Sequence, residues 1–384
     1  MVLARAREPL GYHRPDPSGT NMLERRRSRE LGVRIGRGTP GPLNAITDVA
    51  GVRVGHSTVV SGPDGDPHAV RTGVTAIFPH EWAPWDERVY AGVHILNGYG
   101  ELIGINQIRE WGLLMSPVVL TSSMQIGKAY DATVRWIAGR DRDAGESVMP
   151  VVSECDDSFL NDVLSFPLSD EDVAQALEGA VGGPVTEGCV GAGTGMQCFD
   201  LKGGIGTSSR LAEATPFTVG ALVLTNHGER AGLLIDGVRV GEGVRDLMPV
   251  EHSDGSCVVV IATDAPLLPH HLSRVAQRAG LGLARGGSYA SNGSGEQMLA
   301  FSTANRLPPT AVGGLVDVRA ALDDGGEPWL LSALFEATVE ATDEAVVNAM
   351  FAAETMVGRD GNTLFALPID RTLEMLSAAG RLES

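Results

Sequence analysis

The chain has 384 residues, 43% of them hydrophobic and 20% charged, and a net charge of −18. That is globular composition, with room for one large α/β domain or two smaller ones. The acidity excludes nucleic acid and anionic membrane as main partners, since both are held by basic patches.

The first 32 residues are the exception in charge. They carry Arg5, Arg7, Arg14, Arg25, Arg26, Arg27 and Arg29. No apolar h-region follows, so this is not a secretory signal. Residues 1–32 read as a disordered basic leader, with Met22 as an alternative start, and residues 33–384 as one domain. No apolar run is long enough to span a membrane.

Residues 33–60 alternate apolar and polar around glycines, and Val52, Val54, Val59 and Val60 suggest short strands. Ser61 to Pro67 is a loop, and Val74 to Phe78 a strand. Asn97-Gly98-Tyr99-Gly100 is a turn cluster. Ile105 to Trp111 and Gln125 to Ala138 are helical by pattern, with a strand at Pro117 to Leu120 between them. Pro150-Val151-Val152 leads as a strand into Ser153-Glu154-Cys155-Asp156. Glu171 to Val181 is a helix with Asp170 as its cap.

Residues 182–210 are the richest glycine stretch. They contain neither GxxxxGK[ST] nor GxGxxG, and Gly191-Ala192-Gly193-Thr194-Gly195 lacks the preceding strand of a dinucleotide site. Thr218 to Thr225 is an apolar strand ending at Asn226-His227-Gly228. Leu268 to Arg285 reads as a helix, Ser294-Gly295-Glu296 as a turn, and Met298 to Thr303 as a strand. Pro328 to Met356 is one or two long helices, and Asp370 to Leu382 closes the chain as an amphipathic helix. Interleaved helices and uniformly apolar strands favour sheets covered by helices.

Between these lies Asp254-Gly255-Ser256-Cys257, followed at once by the apolar run Val258 to Ala262. A run bounded by turn signals is a buried strand, with Ser256 at its mouth. An ordinary turn entering a strand would look the same. A second reading is that the chain cuts its own Gly255–Ser256 bond. Ser256 would then carry a hydroxyl nucleophile and a free α-amine on one residue. Such an amine, with a pKa of about 7.7–8.0, is partly neutral near pH 7 and can act as the base a serine needs.

The four cysteines, Cys155, Cys189, Cys198 and Cys257, form no CxxC pair and no metal-ligand spacing with the histidines. Free thiols in a reducing cytoplasm are expected, with no metal and no organic cofactor.

Three stretches together resemble the family of the L-aminopeptidase D-amidase/D-esterases and β-aminopeptidases, self-cleaving relatives of the N-terminal nucleophile hydrolases. They are Ile46-Thr47-Asp48-Val49-Ala50-Gly51-Val52, Gly203-Gly204-Ile205-Gly206-Thr207-Ser208-Ser209-Arg210, and Gly255-Ser256 through Asp264-Ala265-Pro266-Leu267. The resemblance covers about residues 33–380. The family's Ser-x-Glu pair falls on Ser294-Gly295-Glu296, and its oxyanion-hole asparagine on Asn226. One departure is Asp156 after Glu154-Cys155, where the family often has an aromatic residue.

The resemblance implies an αββα sandwich and a cut into an α chain (33–255) and a β chain (256–384). It implies an aminopeptidase and amidase that acts on short peptides, amino-acid amides or esters through an acyl-enzyme on Ser256. Asn226 would donate to the oxyanion, Glu296 would orient Ser294, and Glu154 would anchor the substrate ammonium. It also implies a homo-oligomer, a tetramer of α/β units. An acyltransferase of similar fold is the alternative, and a glycine-rich binding protein the rival of another class.

Overall fold

The computed structural model describes residues 25–81, 83–250, 255–323 and 329–383. Two sheets dominate. The first has the spatial order β1 (Arg53–Ser61), β2 (Val70–Phe78), β6 (Val118–Ser122), β7 (Val151–Cys155) and β4 (Leu102–Ile103). The second runs β10 (Ile205–Leu211), β11 (Thr218–Asn226), β12 (Ser256–Thr263), β13 (Gly295–Leu307), β3 (Arg88–Gly98) and β5 (Leu113–Leu114). Two short ladders, β8 (Gln197–Cys198) with β9 (Leu201–Lys202) and β14 (Met356–Val357) with β15 (Thr363–Leu364), stand apart. The helices are α1 (Ile105–Trp111), α2 (Ile126–Ala138), α3 (Arg142–Ser147), α4 (Asp170–Glu178), α5 (Val240–Gly243), α6 (Pro269–Arg285), α7 (Leu330–Ala352) and α8 (Ile369–Ala378).

Strand alternation builds four layers from these elements, because successive side chains face opposite sides. Val219, Ala221, Val223, Cys257, Val259 and Ile261 pack outward on α6 and α7. Their neighbours Leu222, Leu224, Val258 and Val260 pack inward on Ile77, Val118, Leu120 and Cys155 of the facing sheet. Val74, Ala76, Val119 and Val152 of that sheet turn to α2 and α4. The result is the αββα sandwich. Strands buried on both faces must be apolar throughout, which is why β12 shows no polar alternation.

Strand β12 runs antiparallel to β11 and parallel to β13, with α6 as the crossover. β13 in turn pairs with β3. Pieces divided at residue 255 therefore alternate across one sheet and would share both of its core faces.

Several sequence expectations shift at their edges. Asp170 opens α4, but the cap is Ser169, whose hydroxyl accepts from the Asp172 amide. Asn97-Gly98 is no turn; it ends the long strand β3, paired with Glu296 and Gly295. The region 330–352 is a single helix. Residues 1–24 of the basic leader lie outside the described residues, whereas residues 25–32 are bound to the fold. Arg27 donates to the Leu43, Asn44 and Thr207 carbonyls at 2.7–2.8 Å. Arg29 meets Glu344 at 2.6 Å, and Ser28 Oγ donates to Asn348 at 2.7 Å.

Two of the three resemblance stretches are tied to each other by hydrogen bonds. The Ile46 amide donates to Thr207 Oγ1 at 2.8 Å, and Ser209 Oγ donates to Asp48 at 2.6 Å. Arg210, fully buried, meets Glu344 at 2.6 Å and Glu340 at 3.2 Å on α7. These residues fasten β10 to its neighbours rather than doing chemistry. Removing one partner of a buried ion pair leaves an uncompensated charge, typically costing about 3–5 kcal/mol. Arg210→Met should destabilise by that order in urea unfolding. Arg142→Ala, in an exposed pair with Glu146, should stay within about 0.5 kcal/mol of the parent.

Candidate active site

Ser256 is the first residue of β12, with Asn226 directly opposite on β11 and Gly295 opposite on β13. Gly255 precedes it where the chain presses on β11. A Cβ built on Gly255 would lie 1.8 Å from the Asn226 carbonyl oxygen, so only glycine fits. Ser256 is buried and shares a face with Val258 and Val260, between the sheets. Its hydroxyl lies near the Cys155 thiol at the end of β7.

Asn226 is held from two sides. Its Oδ1 accepts from the Gln197 amide at 3.1 Å, and its Nδ2 donates to the Asp156 carbonyl at 2.9 Å. That pattern fixes which end is nitrogen and leaves a second Nδ2 hydrogen free to donate. The loop that offers the Gln197 amide is itself clamped. Buried Lys202 donates through Nζ to the carbonyls of Met196 and Gly203 at 2.8 Å and Gly193 at 3.2 Å.

Ser294 Oγ donates to Glu296 Oε1 in a short hydrogen bond. Burial pushes the Glu296 carboxyl above its usual range. The pair flanks Gly295, the residue opposite Ser256, so three of the expected residues gather at one end of β12 and β13. Alternation puts Glu296 level with Cys257, whereas Ser256 looks between the sheets. Among the described residues, Ser294 and Glu296 bond to each other and not to the Ser256 hydroxyl. Glu154 is buried one residue before Cys155. Its carboxylate accepts from Ser123 Oγ and, at 2.8 Å, from the Glu101 amide. Burial raises its pKa. The next residue, Cys155, is the one of the two near Ser256.

Sequence reasoning missed Cys155, Gln197, Lys202 and the Asp156 carbonyl. A main-chain contact leaves no side-chain signature. The Cys155 contact appears only when the two sheets stack.

The thiols are poor rivals to the hydroxyl. Burial drives both Cys155 and Cys257 well above the ordinary thiol range, so both stay protonated and unreactive at neutral pH. Sequence spacing also hid one group of metal-like donors, His270, His271 and Asp323, whose atoms lie within 4.8 Å of one another. Its members meet as ion pairs centred on Asp323. The Leu268 amide donates to His271 Nδ1 at 3.2 Å, so the neutral ring carries its proton on Nε2. That nitrogen faces Asp323 at 3.2 Å, and Arg274 donates to the same carboxylate at 2.9 Å. A metal would need the lone pair that the Nε2 proton occupies.

Comparison with known proteins identifies the family. The sequence profile of peptidase family S58 matches residues 44–364. The chain is 42% identical over 382 residues to the β-peptidyl aminopeptidase BapA of Sphingosinicella xenopeptidilytica, covering 94% of this chain and 93% of that protein. The structure of the L-aminopeptidase D-Ala-esterase/amidase of Ochrobactrum anthropi, described as a variant of the Ntn hydrolase fold, superposes with a TM-score of 0.86. It is 43% identical, over 93% of this chain and 99% of that one. A Burkholderia sp. β-aminopeptidase superposes with a TM-score of 0.85 at 44% identity, over 92% and 99%. The peptidase profile sets aside the non-catalytic binding protein, and none of these relatives is described as an acyltransferase.

Asn226 offers the test of this geometry. If Asn226 is the oxyanion donor that the resemblance implies, its free hydrogen serves a charge that exists only in a transition state, and Asn226→Ala should lower kcat by about 10²–10³-fold and leave KM nearly unchanged. Steady-state hydrolysis of an aminoacyl anilide measures both. A change confined to KM would reassign Asn226 to substrate binding.

Proposed function

The chain belongs to peptidase family S58 and is a serine aminopeptidase, and from that premise we propose that it matures by cutting its own Gly255–Ser256 bond. The mature enzyme then removes N-terminal residues from short peptides, amides or esters through an acyl-enzyme on Ser256. The carrying observation is the placement of Ser256 directly opposite Asn226, behind a glycine that admits no side chain.

Each step uses groups already in place. After the cut, the Ser256 α-amine takes the hydroxyl proton as Oγ attacks the substrate carbonyl. The amine lies on the same residue, within direct or one-water reach. Asn226 Nδ2 donates to the oxyanion. The amine returns the proton to the leaving group, and water releases the acyl residue. Ser294, held by Glu296, relays protons at the new terminus. Burial makes Glu296 readier to hold a proton than an exposed glutamate. Glu154 receives the substrate ammonium, which would restore the charge that burial disfavours.

β-Amino acids belong to the proposed substrate range, because two of the relatives bear that description. Localisation in the cytoplasm and assembly into a homo-tetramer complete the proposal. The free state of Cys155, Cys189, Cys198 and Cys257 supports the first. Exposed Val312, Leu315, Leu322 and Trp329 offer apolar surface for the second. Among the described residues no helix is long and apolar enough to cross a membrane.

Intact-mass measurement of the purified protein should find a fragment beginning Ser256-Cys257-Val258. Ser256→Ala should remain a single chain without hydrolase activity, and Cys257→Ala should still be cut. An inactive, uncut Cys257→Ala beside an active Ser256→Ala would move the nucleophile by one residue.

A further inference from the structure

His227 follows Asn226 and ends the approach to the cut. It is buried, and among the described residues neither ring nitrogen has a hydrogen-bond partner. Its ring stands edge-on to Phe199, with centroids 5.4 Å apart. Its carbonyl accepts from the Phe199 amide at 2.8 Å. The backbone is therefore fixed while the imidazole keeps an unused donor and an unused acceptor. Buried polar groups normally find partners, so this one calls for a reason. Burial lowers the ring's pKa to about 4, so it is neutral and carries one N–H.

The strand register supplies a candidate partner. That register ends at Asn226 opposite Ser256, and His227 and Gly255 are the residues just beyond it on the two chains. Gly255 has no side chain to cover its own peptide. The two backbones are in close contact: a Cβ on Gly255 would lie 2.9 Å from His227 Cα. Phe199, against which the ring stands, belongs to the helix-side core, whereas Ser256 shares the face of Val258 and Val260 between the sheets, so the ring and the hydroxyl lie on opposite sides of the sheet.

We propose that His227 donates its ring N–H to the Gly255 carbonyl oxygen during self-cleavage and afterwards holds the Gly255 carboxylate. This rests on the proposed cut. In that step Ser256 Oγ forms a bond to the Gly255 carbonyl carbon, and the carbonyl oxygen becomes the oxyanion. The Oγ proton passes to the Ser256 nitrogen, the C–N bond breaks, and the oxyanion collapses to an ester. Water then splits the ester into the Gly255 carboxylate and the free Ser256 hydroxyl. His227 transfers no proton in this sequence; it supplies a hydrogen bond. In later turnovers the oxyanion sits on the substrate carbonyl, so His227 serves maturation and not hydrolysis.

The test uses two variants with opposite properties. His227→Phe keeps a ring against Phe199 and loses the donor; His227→Gln keeps an N–H donor and loses the ring. Time courses of fragment appearance by intact mass should show His227→Phe slowed by about 10²–10³-fold, as for loss of an oxyanion donor. His227→Gln should stay within roughly tenfold of the parent. Once fully cut, His227→Phe should hydrolyse an aminoacyl anilide with kcat/KM within about threefold of the parent. Equal cutting by His227→Phe and the parent overturns the proposal, and so does equal slowing of both variants, which would mean packing alone. If the parent itself gives no Ser256 fragment, the cut falls and His227's role with it. Should the variants fail to fold, a crystal structure of the matured parent decides. The Gly255 carboxylate within hydrogen-bond reach of the ring upholds the role, and beyond that reach overturns it.

Discussion

The register of β12 between β11 and β13 is the constraint on which the site depends. It sets Ser256 against Asn226 on one side and Gly295 on the other. A slip of one residue would exchange every face. Cys257 would then look between the sheets, and Ser256 would enter the helix-side core. The slip is prevented by the apolar sequence itself. Val258, Val260 and Ala262 fill one core, while Cys257, Val259 and Ile261 fill the other. Gly255 adds a local lock, since its backbone lies against the Asn226 carbonyl. Stability and catalysis thus draw on the same strand.

Burial then selects among the possible nucleophiles. The two thiols near Ser256 stand in apolar surroundings that favour their protonated forms. A serine hydroxyl does not need to ionise in advance, because its base removes the proton during attack. A terminal amine is suited to this site: it arrives with the nucleophile, so no separate base has to be accommodated in a packed strand end.

Much of this was legible in the sequence, for physical reasons. A run such as Cys257 to Ala262 can only be a strand covered on both faces, and interleaved helices imply layers. Ser256 was legible at the mouth of that run, and Ser294, Glu296 and Asn226 through the family resemblance. The contacts that orient them were not. Asn226 is fixed by the Gln197 amide and the Asp156 carbonyl, and main-chain groups are present at every position of every sequence. Lys202 belongs to no motif in its glycine-rich stretch, yet its ammonium is spent on three carbonyls in the interior. The leader seemed featureless because Arg27 and Arg29 are basic. Their partners, Glu187 and Glu344, lie more than a hundred residues away. Glu154 is held by Ser123 and the Glu101 amide, partners that no spacing in the sequence reveals.

The central claim is that the Ser256 oxygen carries the acyl group during turnover. Rapid-quench intact mass of the matured enzyme, mixed with an aminoacyl ester, tests it directly. The account predicts one added acyl group on the fragment that starts at Ser256, and peptide digestion should locate it on that residue. An acyl group on Cys155 or Cys257, or turnover under conditions where acylation outpaces deacylation with no acylated fragment, would contradict it.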